Sequence, residues 1–242
     1  MPSATSLANL SWRKQLWQSV INVIFPPACA NCEAPGTLFC DSCRAGLIWV
    51  EEPICRQCGR PDTLGEHLCP NCRGDNRPIL PIRAACLHAG SLHRVIHRFK
   101  YENQFGLADL LAAFMVQAWP QWQVPVEVVV PVALHPERER KRGYNQATLL
   151  AQHLARKQGW TLEPAGLIRI RHTRPQVGLT APERRVNVHK AFQAESRYVA
   201  GKQIMLVDDV CTTGATLTAA AAALYAAGAA NVNGYCLAHA KE

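Results

Sequence analysis

Residues 204–216 read IMLVDDVCTTGAT, and each part of that stretch has a separate physical use. Four apolar residues at 204–207 predict a buried strand of a parallel sheet, and in such sheets ligands bind beyond the carboxyl end of the strands. The chemistry is therefore expected to begin at Asp208. Adjacent carboxylates at Asp208 and Asp209 can accept hydrogen bonds from the two vicinal hydroxyls of a sugar. Thr212, Thr213, Gly214, Ala215 and Thr216 form a small-residue loop of backbone N–H groups and hydroxyls that can surround a phosphate. The alanine-rich run at 215–227, stopped by Gly228, predicts a helix whose positive end points at the same anion. Two acids followed by Thr-Thr-Gly-x-Thr thus describe a site for a ribose carrying a 5′-phosphate.

These residues resemble the thirteen-residue PRPP-binding signature of the type I phosphoribosyltransferases at every position but one. Cys211 stands where an aliphatic residue is usual. The resemblance implies an α/β domain of that fold with a parallel-sheet core, and Mg²⁺ bound together with PRPP.

Upstream, residues 126–132 (VEVVVPV) predict another buried strand, leading into a basic loop that contains Arg138, Arg140, Lys141 and Arg142. Guanidinium forks match the oxygens of pyrophosphate, so Arg140 and Arg142 are the candidate contacts there. A helix is expected after Gly143 and should end at Gly159. Between Arg169 and Lys190 lie six Lys/Arg and one Glu, with Pro175, Gly178 and Pro182 breaking any long helix. That stretch resembles the closing flap that transferases of this fold carry ahead of the PRPP-binding strand, with Arg184 and Arg185 as further pyrophosphate candidates; an exposed basic linker is the alternative. A lid of this kind excludes water and brings cations to a departing anion. The histidines at 88, 93 and 97 are read as surface or packing residues.

The first third of the chain differs chemically from the rest, because eight of the eleven cysteines fall between Cys29 and Cys72. They form four CxxC pairs: Cys29/Cys32, Cys40/Cys43, Cys55/Cys58 and Cys69/Cys72. A two-residue gap lets one turn aim both thiolates at a metal, and two such turns complete a tetrahedral shell. Two zinc ions are expected, bound by consecutive pairs, since short loops close at less entropic cost. An interleaved cross-brace is the other arrangement the spacing allows. A disulfide framework fits poorly with an odd cysteine total and no evident secretory signal. The domain reading is a packing helix over 1–28, a double zinc ribbon over 29–77 and the phosphoribosyltransferase-like domain over 83–242.

Charge follows the same division. Residues 1–82 hold seven Lys/Arg and seven Asp/Glu, so the formal +8 belongs entirely to the remainder. Each Cys₄ zinc site would add two negative charges, which argues against the cysteine module as a nucleic-acid arm. No segment reaches the ~20 apolar residues of a membrane span, and a cytoplasmic location is expected.

With these motifs in view, the chain resembles the ComF/GntX-like family of competence and DNA-utilization proteins. The resemblance rests on FPPACANC at the head of the cysteine module, Arg-Phe-Lys-Tyr at 98–101, PVALHP at 131–136 and RGYNQ at 142–146. Gln176, Leu179, Arg184, Asn187 and the paired aspartates also match. It implies a double zinc ribbon fused to a phosphoribosyltransferase-like fold, with a role in taking up or using extracellular DNA. Single-stranded DNA and DNA-uptake proteins are the partners so implied. A metabolic phosphoribosyltransferase with a small base acceptor is the competing function, and a purely structural zinc adaptor would leave the paired aspartates unexplained.

Overall fold

The computed structural model describes residues 27–61, 67–73, 80–173 and 180–240. Nearly all of the helix expected over 1–28 lies outside these, as do Arg174, Gln176, Leu179 and the side chain of Arg185. The chain separates into two compact units, Met1–Gly46 and Leu47–Glu242. This division falls between the two cysteine tetrads, inside the module the cysteine spacing marks out.

In the first unit the chain turns twice around a cysteine pair, with one short helix, α1 (Asp41–Ala45), carrying Cys43. The second unit begins with the other tetrad and the short helix α2 (Pro70–Arg73). It then builds an α/β sheet from β1 (Ile82–His88), β2 (Val128–Pro131), β3 (Thr161–Leu162), β6 (Gln203–Cys211) and β7 (Asn231–Ala240). Their order is β1-β7-β6-β2-β3 and every neighbouring pair is parallel. Parallel strands buried on both faces read as continuous apolar runs, and β2 and the first half of β6 are of this kind.

Helices α3 (Gly90–Tyr101), α4 (Ala108–Ala118), α5 (Pro136–Arg142) and α6 (Gln146–Gln158) occupy the β1–β2 and β2–β3 crossovers. A separate antiparallel ribbon pairs β4 (Leu167–Arg169) with β5 (Phe192–Ala194), and α7 (Ala181–Val188) lies in its connection. Helices α8 (Ser196–Val199) and α9 (Ala215–Ala226) follow. The core includes Phe99, Leu111, Met115, Leu150, Leu154 and Tyr235, whose hydroxyl donates to the Met115 carbonyl at 2.6 Å. The exposed edge of β1 is covered by residues 48–50, where Val50 N–H donates to the Ala85 carbonyl and Leu87 N–H to that of Ile48.

Two expectations change in detail. The strand through the acidic pair is longer than its four apolar residues suggest, because β7 pairs with it as far as Cys211 while β2 stops at Val207. The basic stretch is a short helix, α5, rather than a loop: Pro136 sits in its first turn and Gly143, with φ 81°, ends it in the left-handed region.

Candidate functional site

Strand order places the site. From β2 the chain crosses one way to β3, while β6 lies on the other side, so the crevice between the carboxyl ends of β2 and β6 is a topological switch point. Asp208 and Asp209 extend past the last β2 pairing, on the side of β6 that has no strand neighbour. Successive residues of a strand point to opposite faces, so the two carboxylates separate. Asp208 Oδ1 accepts from the Asp209 N–H at 2.8 Å, and Asp209 Oδ1 receives the Lys100 ammonium at 2.8 Å.

Lys100 comes from the last turn of α3, and its role could not be read from the sequence. Burial works against its charge, but Asp209 and then Asp208 outweigh that and hold its pKa above the ordinary lysine value. Asp208 is pushed up to about 7, first by burial and then by the neighbouring Asp209, with Lys100 opposing. His88, at the end of β1, is driven down to about 4 by burial and by His93 and Lys100. It stands as a neutral imidazole beside the pair.

The Arg-Phe-Lys-Tyr and RGYNQ segments explain each other in space. Phe99 is buried, and its carbonyl accepts from the Tyr144 hydroxyl and from Gln146 Nε2. Asn145 caps α6 by accepting from the Ala147 N–H at 3.0 Å and donates to the Val132 carbonyl at 3.0 Å, tying α6 to the end of β2. Such a cap is worth about 1 kcal/mol. Arg142 donates to Gln146 Oε1 at 2.6 Å and lies 5.2 Å from the Tyr101 ring centre. Together these contacts fix the turn of α3 that carries Lys100.

The loop after β6 narrows for a clear reason. Gly214 has φ 72°, in the left-handed region that glycine favours, and a Cβ there would come within 2.8 Å of Ile82 Cδ1, ahead of α9. The Thr213 hydroxyl oxygen is buried and finds no partner among the described residues. A buried hydroxyl left unpaired costs about 1–3 kcal/mol, which an anion at the helix start would recover. Cys211 is buried and in register with His239. Its thiol is lowered to about 5 by bonding with Cys236 and by His239, against burial.

Of the basic candidates, Arg140 is exposed and Arg142 is half-buried in the contacts above, while Arg184 is half-buried and its Nε finds no partner among the described residues. The structure brings Arg169 near Asp208, and Arg138 to the segment that follows Arg169. Arg169 is buried, 5.1 Å from the Phe192 ring centre, and donates to Thr173 Oγ1 at 2.5 Å. Arg138 donates to the Thr173 carbonyl. Burial lowers the Arg169 pKa to about 10, and Asp208 counteracts that. A cleft of about 530 Å³ starts at Ala215 and runs along α9 past Thr218, Ala222 and Phe192, away from the aspartates.

The cysteines assemble as consecutive pairs. Sγ atoms of Cys29, Cys32, Cys40 and Cys43 lie within 4.8 Å of one another, and so do those of Cys55, Cys58, Cys69 and Cys72. Zn–S bonds of about 2.3 Å in a tetrahedron put sulfurs about 3.8 Å apart. Cys32 and Cys40 sulfurs are 3.6 Å apart, and those of Cys58 and Cys69 3.7 Å. The fit to two zinc ions is close, and backbone N–H groups of Cys40 and Cys69 point at the sulfurs of Cys29 and Cys55. Cys86, Cys211 and Cys236 are buried in β1, β6 and β7, outside both tetrads.

Fold and site together define a phosphoribosyltransferase-like α/β domain preceded by a double zinc ribbon. The family described as double zinc ribbon domain matches residues 20–73, and that described as phosphoribosyl transferase domain matches 140–242. DNA utilization protein YhgH of Escherichia coli K12 is 30% identical over 222 residues, covering 88% of this chain and 96% of its own. Competence protein ComFC of Bacillus subtilis is 30% identical over 217 residues, covering 84% and 85%. Competence protein F of Haemophilus influenzae is 34% identical over 176 residues, covering 68% and 75%. This chain belongs to the ComF/GntX-like family of competence and DNA-utilization proteins. Solved structures overlay more distantly. An adenine phosphoribosyltransferase gives a TM-score of 0.36 at 19% identity, covering 60% of this chain and 75% of its own. The allosteric regulatory enzyme of purine biosynthesis gives 0.39 at 23% identity, covering 55% of this chain and 26% of its own.

Proposed function

We propose that this protein holds the phosphoribosyl group of PRPP or of a nucleotide at Asp208, Asp209, the loop residues Thr212, Thr213 and Gly214, and Ala215 and Thr216 at the start of α9, in the service of using extracellular DNA. The observation that carries the reading is the unpartnered Thr213 hydroxyl at the start of α9, one turn from a pair of carboxylates beyond the end of β2. Magnesium would arrive with the pyrophosphate, because the two carboxylates alone offer too few oxygens for its octahedral shell and one of them is held by Lys100. Arg138 and Arg169, with Arg140, Arg142, Arg184 and Arg185, are the cations proposed for the pyrophosphate. The names of the relatives supply the DNA role, and the net charge of +8, all of it after residue 82, makes the basic domain the candidate surface for single-stranded DNA in the cytoplasm.

Calorimetric titration with Mg²⁺-PRPP tests this. Asp208→Ala with Asp209→Ala should weaken binding by about 1.5–3 kcal/mol for each charge-assisted bond lost. Unchanged affinity in the folded double variant refutes the site. Sugar hydroxyls donate to ionised Asp208, whose free-state pKa is about 7. Affinity should therefore rise as pH climbs toward 7 and level off above it, with a proton released on binding below that point. In the free protein the sign is opposite: the raised carboxyl favours folding below its unfolded pKa, and that contribution is lost as pH passes about 7. Pyrophosphate appearing on addition of a base acceptor would mark turnover.

A further inference from the structure

A second cluster of ligating groups lies outside this site. His135 caps the N-terminus of α5, Glu137 follows in its first turn, and His172 sits in the segment leaving β4. One ligand atom from each falls within 4.8 Å of the others. The His135 and His172 rings meet nearly edge to face, 4.8 Å between centres, and His172 Nε2 is 3.6 Å from Glu137 Oε2. Among the described residues that imidazole is the only side chain in ion-pair range of Glu137. The adjacent Arg138 donates to the Thr173 carbonyl, next to His172.

We infer that His135, Glu137 and His172 form a third divalent-metal site, of the two-histidine, one-carboxylate kind. Two imidazoles and one carboxylate suit borderline ions such as Zn²⁺, Co²⁺, Ni²⁺ or Fe²⁺ rather than Mg²⁺ or Ca²⁺. Ligand atoms about 2.1 Å from such an ion stand about 3.4 Å apart, so separations of at most 4.8 Å need to shrink by no more than about 1.4 Å. Glu137 and His172 are 67% and 51% exposed, which leaves coordination positions open to water. The Glu137 N–H contact to His135 Nδ1 is long, at 3.4 Å, and is given up on binding. An ion on Nδ1 takes that lone pair, and an ion on Nε2 sends the proton to Nδ1.

The three residues come from two segments that meet at only one other described hydrogen bond, Arg138 to Thr173. A bound ion would therefore clamp the root of the β4–β5 connection to α5. The site is independent of the phosphoribosyl reading.

The full chain, with its cysteine sites loaded, is titrated with Zn²⁺ by calorimetry, with metal counted by mass spectrometry and accessible thiols monitored throughout. A third equivalent is expected with the thiol count unchanged. His172→Ala and Glu137→Gln should each weaken it by more than about tenfold, and neither exposed side chain supports the fold. His93→Ala, which breaks the other described histidine pair with His88, should leave it intact. Saturation at two ions, full retention in both ligand variants, or equal loss in His93→Ala would each overturn the proposal.

Discussion

The two cysteine tetrads share one ligand chemistry and one turn geometry, yet they sit in different surroundings. Both begin with C-x-x-C followed by a residue in the left-handed region, Glu33 at φ 66° and Gly59 at φ 70°. In the first unit Cys32 is exposed and Cys40 half-buried, and the turn closes on itself through Glu33 N–H to Cys29 and Cys29 N–H to Ala34. In the second all four cysteines are buried, and the turn also bonds to the sheet, where Ile82 N–H donates to the Gln57 carbonyl at 2.8 Å. A Cβ on Gly59 would stand 2.3 Å from the Ile82 carbonyl oxygen. The same C-x-x-C turn therefore occurs once within the first unit and once bonded to the sheet of the transferase-like unit. Ile82 links the latter to the candidate site, since its side chain also limits the space at Gly214.

The comparison breaks most sharply at the ligands themselves. Cys58→Ser should unfold or loosen the sheet, because structural zinc binding contributes on the order of 10 kcal/mol to its own domain. Cys32→Ser should empty the first site and leave the thermal transition of residues 47–242 in place. Near-UV circular dichroism with zinc counts checks both. Equal losses of sheet structure would mean that the first tetrad also supports it.

A smaller effect is expected at the turns. Gly59→Ala adds left-handed strain to a backbone collision and should cost about 2–4 kcal/mol. Glu33→Gly relieves similar strain but gains unfolded-state entropy, so its net change should stay within about 1 kcal/mol. Denaturation midpoints of the two variants separate these cases.

The smallest effect concerns the second x of each pair. Asn31 Nδ2 donates to Cys43 Sγ at 3.1 Å, whereas the main chain of Gln57 is engaged with β1. Asn31→Ala should loosen the first zinc by about 1 kcal/mol, read as faster transfer to a chelator, with the second site unaffected.

Much of this was legible in the chain. The CxxC spacing specifies tetrads because a two-residue gap is a local geometric constraint, satisfied within a few residues of each sulfur. The paired aspartates, the threonine-glycine loop and the following alanine helix are contiguous, so strand, turn and helix could be read in order. Gly143 and Gly159 end α5 and α6 in the left-handed conformation that glycine readily adopts. Less legible was the basic stretch: Arg140, which alternates with glutamates, points to solvent, whereas Arg138 meets Thr173. Nothing in the local pattern distinguishes those two arginines.

What the sequence by itself determined is the set of groups that act within one turn: two metal-binding knuckle pairs, a strand ending in paired acids with a threonine-glycine loop, and the caps around them. Only the tertiary structure decided which distant groups meet. Lys100 reaches Asp209, Arg169 comes near Asp208, His172 comes beside Glu137, and Gly59 fits beneath Ile82. Each meeting depends on strand order and on crossovers that return the chain to the same end of the sheet. Local spacing specifies a turn, but only the packed sheet brings the ends of β1, β2, β4 and β6 and their following segments together.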